Sequence, residues 1–185
     1  DIVDVAAALG LPADLVRTGS GALAGGEDAD LFYLSAGDQT ASGGLGPDTY
    51  VVGGNFGHDV IDDFESAGDA HSEDTLRFAN IASTDVTARR EGLDLVIDVN
   101  GTSDELRVVD HFDGRLPGVN GGGDLSDDTG VDVIVFADGV TWTAFDIARA
   151  VSHPQSGDET LQGTDTVDWL DGGAGNDRLE GDDDS

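Results

Sequence analysis

The chain repeats a nine-residue unit whose clearest copy is GGAGNDRLE at residues 172–180. This copy has glycine at positions one, two and four, aspartate at position six and a large apolar residue at position eight. Units in the same register begin at residues 16, 25, 34 and 43, and again at 154, 163, 172 and 181. A further unit at residues 53–61 carries one extra residue. A fixed short period predicts a fold in which successive coils stack on one another.

The spacing within the unit predicts a parallel β-roll. The first six residues can form a tight turn, because glycine allows positive φ values, and the last three can form a short strand. Two units complete one coil, so units two apart stack on the same side. The residues at position eight then point inward between two sheets, which places Leu23 over Ala41 and Phe32 over Tyr50. We therefore expect a mostly β fold.

The aspartates at position six predict metal binding. In stacked units these carboxylates meet across a gap lined by the carbonyl oxygens of the turns, and such an oxygen cage suits Ca²⁺. We expect several calcium ions as the cofactor. A core this thin is not expected to fold without ions, so binding and folding should be one event. Gly21 and Gln39 replace the acid on one side of the roll, which should be empty or weak there.

The composition excludes several classes of partner. The formal net charge is −31, and the eight basic residues are all arginine. Such a charge repels nucleic acid and anionic membranes, and no apolar run approaches the roughly 18 residues of a membrane span. The absence of cysteine excludes disulfides and thiolate metal sites. A metal-free, halophilic acidic surface is the alternative reading of the charge.

The middle of the chain reads as a β-rich flanking unit. Strands are predicted at residues 75–78, at 93–99 and 106–109 joined by a type I′ turn at Asn100-Gly101, and at 131–136 and 140–142 joined at Asp138-Gly139. Short helices are predicted at residues 2–9 and 145–151, and a long loop at 114–130.

Four regions follow from this reading. They are an N-terminal helical flank at residues 1–15, a first β-roll at 16–64, a β-rich capping unit ending in a short helix at 65–151, and the start of a second, truncated roll at 152–185. The repeat tract that begins at residue 16 thus returns in the same register at residue 154. We therefore expect a piece of a tandem array.

The repeats and their flanks resemble the RTX (repeat-in-toxin, haemolysin-type calcium-binding) family. The flanking sequences GPDTYVV at 46–52, GHDVIDDF at 57–64, DTLRF at 74–78 and FADGVTW at 136–142 resemble the haemolysin-type calcium-binding-related domain. In that family an ion takes carbonyls two and four and carboxylate six of one turn. It also takes carbonyls one and three and carboxylate six of the turn above.

The resemblance implies four calcium sites and one weaker candidate. The best N-terminal site would use Gly26, Asp28, Asp30, Gly43, Leu45 and Asp48. A second would use Gly44, Gly46 and Asp48, closed by Asp62 or Asp63, and Asp59 would complete a weaker one with Ser35 and Gly37. Near the C-terminus, one site would use Gln155, Gly157, Glu159, Gly172, Ala174 and Asp177. The last would use Thr164, Thr166, Asp168, Gly181 and Asp183.

The expected function is that of a structural module rather than an enzyme. The resemblance implies a bacterial secreted or cell-surface RTX protein that folds on calcium after type I secretion, within a tandem array of a toxin or adhesin. Its partners would be calcium, the secretion machinery and neighbouring RTX blocks of the same chain. The alternative is an accessory region of a secreted lipase or protease whose catalytic domain lies elsewhere. Binding of sugar or ice by the module itself is a third possibility.

Overall fold

The computed structural model describes residues 16–63, 72–112, 130–151, 160–162, 175–176 and 178–180. These residues form short strands, a 3-10 turn at Ser83–Asp85 and one helix, α1, at Ala144–Val151. The strands are β1 Val16–Thr18, β2 Gly21–Ala24, β3 Leu31–Leu34, β4 Gln39–Ser42, β5 Thr49–Val52, β6 His58–Ile61, β7 Thr75–Phe78, β8 Val86–Glu91, β9 Asp94–Val99, β10 Glu105–Val108, β11 Val133–Val135, β12 Thr141–Thr143, β13 Thr160–Gln162 and β14 Arg178–Glu180.

Successive strands of the repeat region alternate between two sheets. The first sheet has the order β1-β3-β5-β7-β11-β12, and the second has the order β2-β4-β6-β10-β9-β8. Within the repeats every pairing is parallel. The predicted parallel β-roll with a β-rich flanking unit and a short helix is confirmed.

The register follows the coil of two nine-residue units. Leu23 pairs with Ala41, and Phe32 pairs with Tyr50, as the inward-facing apolar positions predict. The rings of Phe32 and Tyr50 stack with centroids 4.9 Å apart. Two pairings depart from the regular spacing: Phe32 lies opposite Arg17 rather than Asp14, and Ala41 lies opposite Ile61 rather than Asp59.

One hydrophobic core runs through the roll and the flanking unit. Phe32 and Tyr50 of the roll belong to the same buried cluster as Ile97, Ile134 and Ile147. Strand β10 continues the second sheet parallel to β6, and β7 and β11 continue the first sheet. The flanking unit therefore extends both sheets of the roll. It also supplies buried apolar side chains that the short coils of the roll lack.

The flanking strands follow the sequence prediction with one correction and one omission. The β9–β10 hairpin is present, but its turn is not type I′, which needs positive φ at both central residues. Among described non-glycine residues only Asn55 and Asp110 have positive φ, so Asn100 does not. The N–H of Asn100 instead donates to the carbonyl of Asp85 at 2.8 Å. Strand β8 was not predicted.

The predicted helices, the long loop and the second roll lie partly within and partly outside the described residues. The helix expected at 145–151 is α1, whose Ile147 is buried. Strands β13 and β14 pair in parallel with Leu161 opposite Leu179, which is the regular spacing of a second roll. The helix expected at residues 2–9, the loop at 114–129 and most of the second roll lie outside the described residues.

Candidate metal centre

Four aspartates form a hydrogen-bonded ladder along one edge of the first sheet. Asp30, Asp48, Asp74 and Asp132 lie just before β3, β5, β7 and β11. The backbone N–H of Asp30 donates to Asp48 Oδ1 (2.7 Å), that of Asp48 to Asp74 Oδ1 (2.8 Å), and that of Asp74 to Asp132 Oδ2 (2.8 Å). In-register parallel strands place equivalent residues one above another, so the carboxylates stack along this edge.

Three buried carboxylates, two of which belong to the ladder, lie close together. Asp48, Asp63 and Asp74 each offer one oxygen, and these oxygens lie within 4.8 Å of one another. Their side chains are only 1%, 3% and 2% exposed. Burying several carboxylates together is costly unless a positive charge or a proton compensates them. We call these three residues the acidic triad.

The electrostatics of the acidic triad favour an added cation. Burial, followed by the charge of Asp63, raises the pKa of Asp74 to about 9, although the N–H of Asp48 opposes the shift. Tyr50 borders the same site, and burial followed by Asp63 raises the pKa of its hydroxyl above the ordinary range. Without a cation the site therefore retains a proton at neutral pH. Carboxylate oxygens are the hard ligands that calcium takes.

Stacked glycine turns form the wall of the site. Gly44 has φ +98°, and its N–H donates to Asp63 Oδ1 at 3.1 Å. The N–H of Leu45 donates to the carbonyl of Gly26 at 2.9 Å. A Cβ at Gly46 would lie 3.0 Å from the carbonyl carbon of Asp28. The turns at residues 26–28 and 44–46 thus pack against each other.

The structure places the predicted N-terminal ligands in two groups. One comprises Gly44, Asp48 and Asp63, which meet at the acidic triad, whereas Asp62 is exposed. The other comprises the stacked turns with Gly26, Asp28, Asp30, Gly43, Leu45 and Gly46. There both carboxylate oxygens of Asp30 already have a partner: Oδ2 accepts from Gly26 N–H, and Oδ1 pairs with Arg17, each at 2.9 Å. Binding of calcium by these residues stays a prediction.

At the opposite edge of the roll, a buried aspartate lies beside a glutamine. Asp59, 1% exposed, accepts the N–H of Gln39 on Oδ1 at 2.8 Å, and Oδ2 has no hydrogen-bond partner among the described residues. Burial raises the pKa of Asp59 to about 7, against the N–H of Gln39, which lowers it. The Gln39 side chain accepts the N–H of Ser35 at 3.1 Å. A neutral amide therefore stands at position six of this repeat, where the clearest copy has an aspartate.

Sequence reasoning missed Asp74 and Asp132. Asp74-Thr75 repeats the Asp48-Thr49 pair at the start of a strand, which is the signal that could have identified it. The C-terminal candidates lie outside the described residues: Gln155, Gly157, Glu159, Thr164, Thr166, Asp168, Gly172, Ala174, Asp177, Gly181 and Asp183.

The roll, its glycine turns and the acidic triad agree with the calcium-binding β-roll that the RTX resemblance implies. Residues 94–146 match the model of the haemolysin-type calcium binding protein related domain. The matched segment contains Asp132, the last aspartate of the ladder, and adjoins the acidic triad without including it.

One solved structure has a distant similarity to this chain. The extracellular lipase LipA from Serratia marcescens is similar at 19% identity and a TM-score of 0.44, over 89% of this chain and 25% of that chain. The chain therefore spans about a quarter of the length of that protein. No curated protein matches significantly. Within the described residues, no helix has the length and apolar character needed to cross a membrane.

Proposed function

We propose that the chain is a calcium-binding structural module of a secreted protein. The observation that carries the proposal is the acidic triad, in which Asp48, Asp63 and Asp74 bring buried carboxylate oxygens within 4.8 Å of one another. The module's own role is structural rather than catalytic: calcium would join the turns of the roll to the first strand of the flanking unit.

The donor set favours calcium over magnesium. The triad offers three carboxylates, and the adjoining turns at residues 43–48 offer backbone carbonyls, so the ligands are oxygens on flexible turns. Ca²⁺ accepts six to eight such ligands, whereas Mg²⁺ keeps several waters and demands a tighter octahedron. Extracellular calcium modules bind with a Kd of roughly 10⁻⁴–10⁻³ M.

Calcium binding would be coupled to folding. The net charge of −31 opposes compaction, and ions held by the folded state offset that repulsion. An ion at 100 times its Kd adds about 2.7 kcal/mol per independent site. A chain that stays open at low calcium and folds outside the cell suits type I secretion. The return of the repeat register at residue 154 supports a tandem array within a toxin or adhesin.

Two adjacent aspartates provide the test of the metal site. Asp63 is buried in the acidic triad, whereas its neighbour Asp62 is exposed. We expect Asp63→Asn to weaken calcium binding by roughly tenfold or more, because ligand charge sets affinity at such sites. Asp62→Asn, the matched control, should change it by about twofold at most. Isothermal titration calorimetry with Ca²⁺ measures both, and equal affinities for the two variants would overturn the assignment.

A further inference from the structure

The roll's N-terminal end carries an arginine at a position that faces the core. Arg17 lies on β1, the edge strand of the first sheet, and pairs in register with Phe32. Opposed residues of paired strands share a face, so Arg17 shares the inward face of Phe32, which is fully buried. Its side chain is 36% exposed.

The guanidinium of Arg17 neutralises the first aspartate of the ladder. Arg17 Nη2 lies 2.9 Å from Asp30 Oδ1, and the side chain of Asp30 is 2% exposed. Asp30 Oδ2 accepts the N–H of Gly26 at 2.9 Å. A buried carboxylate needs a counter-charge, and an arginine remains protonated at every physiological pH. Asp30 therefore has its cation in the polypeptide itself.

A shortened first coil explains how this arginine reaches the ladder. Phe32 pairs with Tyr50 at the regular spacing of two units, but its pairing with Arg17 on the other side spans a shorter stretch of chain. The regular spacing would have set the acidic residue Asp14 opposite Phe32. The shorter coil thus puts a permanent positive charge, rather than another negative one, at the end of the ladder.

We propose that Arg17 is the resident cation of the first turn and takes the place of a calcium ion at Asp30. Calcium then binds at the acidic triad, and Asp30 is not one of its ligands. The first described coil of the roll then carries a positive charge that does not vary with calcium concentration. This inference rests on the proposed calcium binding for one of its two readouts.

The first readout is the number of calcium ions bound per chain at saturation. We expect Asp30→Asn to bind as many ions as the wild type, because the carboxylate that it removes is already neutralised. Equilibrium dialysis with calcium counts the ions. One ion fewer in Asp30→Asn would mean that calcium displaces the arginine, and would overturn the proposal.

The second readout is a double-mutant cycle in urea unfolding at saturating calcium, which does not depend on counting ions. Arg17→Gln and Asp30→Asn should each lower the urea midpoint, and the double variant should lie no lower than Arg17→Gln alone. Arg17→Lys, which keeps the charge, should keep most of the midpoint. Arg90→Gln is the comparison for loss of an arginine away from the ladder, since this exposed residue of β8 contacts the Phe112 ring and the carbonyl of Gly92.

The cycle also separates the two proposals. Additive shifts of the single variants would overturn the role of Arg17, whatever the calcium result. A wild-type chain that binds no calcium would overturn the proposed function. In that case the double-mutant cycle would still decide whether Arg17 neutralises Asp30.

Discussion

Next to the acidic triad, Gly43 is a position that has no room for a side chain. A Cβ there would overlap Asp48 Oδ2 and lie 2.5 Å from the hydroxyl of Tyr50. A methyl group would have to displace a buried carboxylate, so the requirement for glycine at this position is steric.

We expect Gly43→Ala to destabilise the calcium-loaded fold by about 1–3 kcal/mol, the usual cost of overpacking. Gly26→Ala is the matched control, because its Cβ would meet only Asp30 Oδ2, at 4.0 Å. Urea unfolding at saturating calcium compares them. Equal midpoints for the two alanine variants would contradict the packing described around the triad.

The triad also makes calcium binding pH-dependent. In the ion-free fold the pKa of Asp74 is about 9, above the ordinary 3.8. A carboxyl whose folded pKa is raised holds a proton that the unfolded chain has released, so the ion-free fold loses stability as pH rises from about 4 towards 9. Calcium replaces that proton, so its apparent affinity rises over the same range.

Calcium titrations between about pH 6 and pH 9 should therefore show tighter binding at higher pH, with proton release on binding. Asp74→Asn should bind more weakly and lose most of this slope. Calorimetry in two buffers of different ionisation enthalpy measures the protons released. An affinity independent of pH in the wild type would show that Asp74 is not protonated in the ion-free fold.

At the scale of elements, strand register was predictable and the continuation of the ladder was not. The regular repeat of inward apolar residues fixes Phe32 against Tyr50, because a slip by one residue would turn the apolar side chains outward. The ladder then continues from Asp48 to Asp74 and Asp132 across separations of 26 and 58 residues. No short period marks these positions, since inserted segments separate strands that are adjacent in space.

Strand β8 and the ion pair of Arg17 with Asp30 were not predicted, for local reasons. In the sequence of β8, VTARRE, only Val86 and Ala88 alternate as apolar residues that pack against the core, and the second half of the strand is charged. Its Arg89 instead bonds to Glu105 of β10 at 2.9 Å. Arg17 was missed because the regular spacing does not bring residue 17 to Phe32.

The loop of the flanking hairpin contacts the roll in addition to the pairing of β10 with β6. Asp104, in the β9–β10 connection, accepts the N–H of Asn55 at 3.0 Å and that of Gly57 at 3.1 Å. We expect Asp104→Ala to destabilise the fold by about 1–2 kcal/mol, because two donors in the roll lose a charged acceptor. Ser103→Ala, at an exposed neighbour, should have little effect.

Thermal unfolding with calcium present compares these two variants. Protection of the amides of Asn55 and Gly57 against hydrogen exchange should fall in Asp104→Ala alone. Unchanged exchange at both amides would show that the hairpin does not hold this turn of the roll.

At the scale of the whole molecule, the net charge opposes folding and the hydrophobic core favours it. The net charge of −31 opposes compaction, while the shared core joins the roll to a flanking unit whose arginines pair with neighbouring carboxylates. The acidic triad lies where the roll meets β7, the first strand of that unit. Bound calcium at this position would offset the repulsion at the junction between the two parts.

The most direct test is a calcium titration of the chelated chain, followed by far-UV circular dichroism and tryptophan fluorescence, with magnesium as the control. We expect a cooperative gain of β structure with calcium and none with magnesium at the same concentrations. A chain that is already fully folded in chelator, and that calcium leaves unchanged, would contradict calcium-coupled folding and leave the acidity as a property of a metal-free surface.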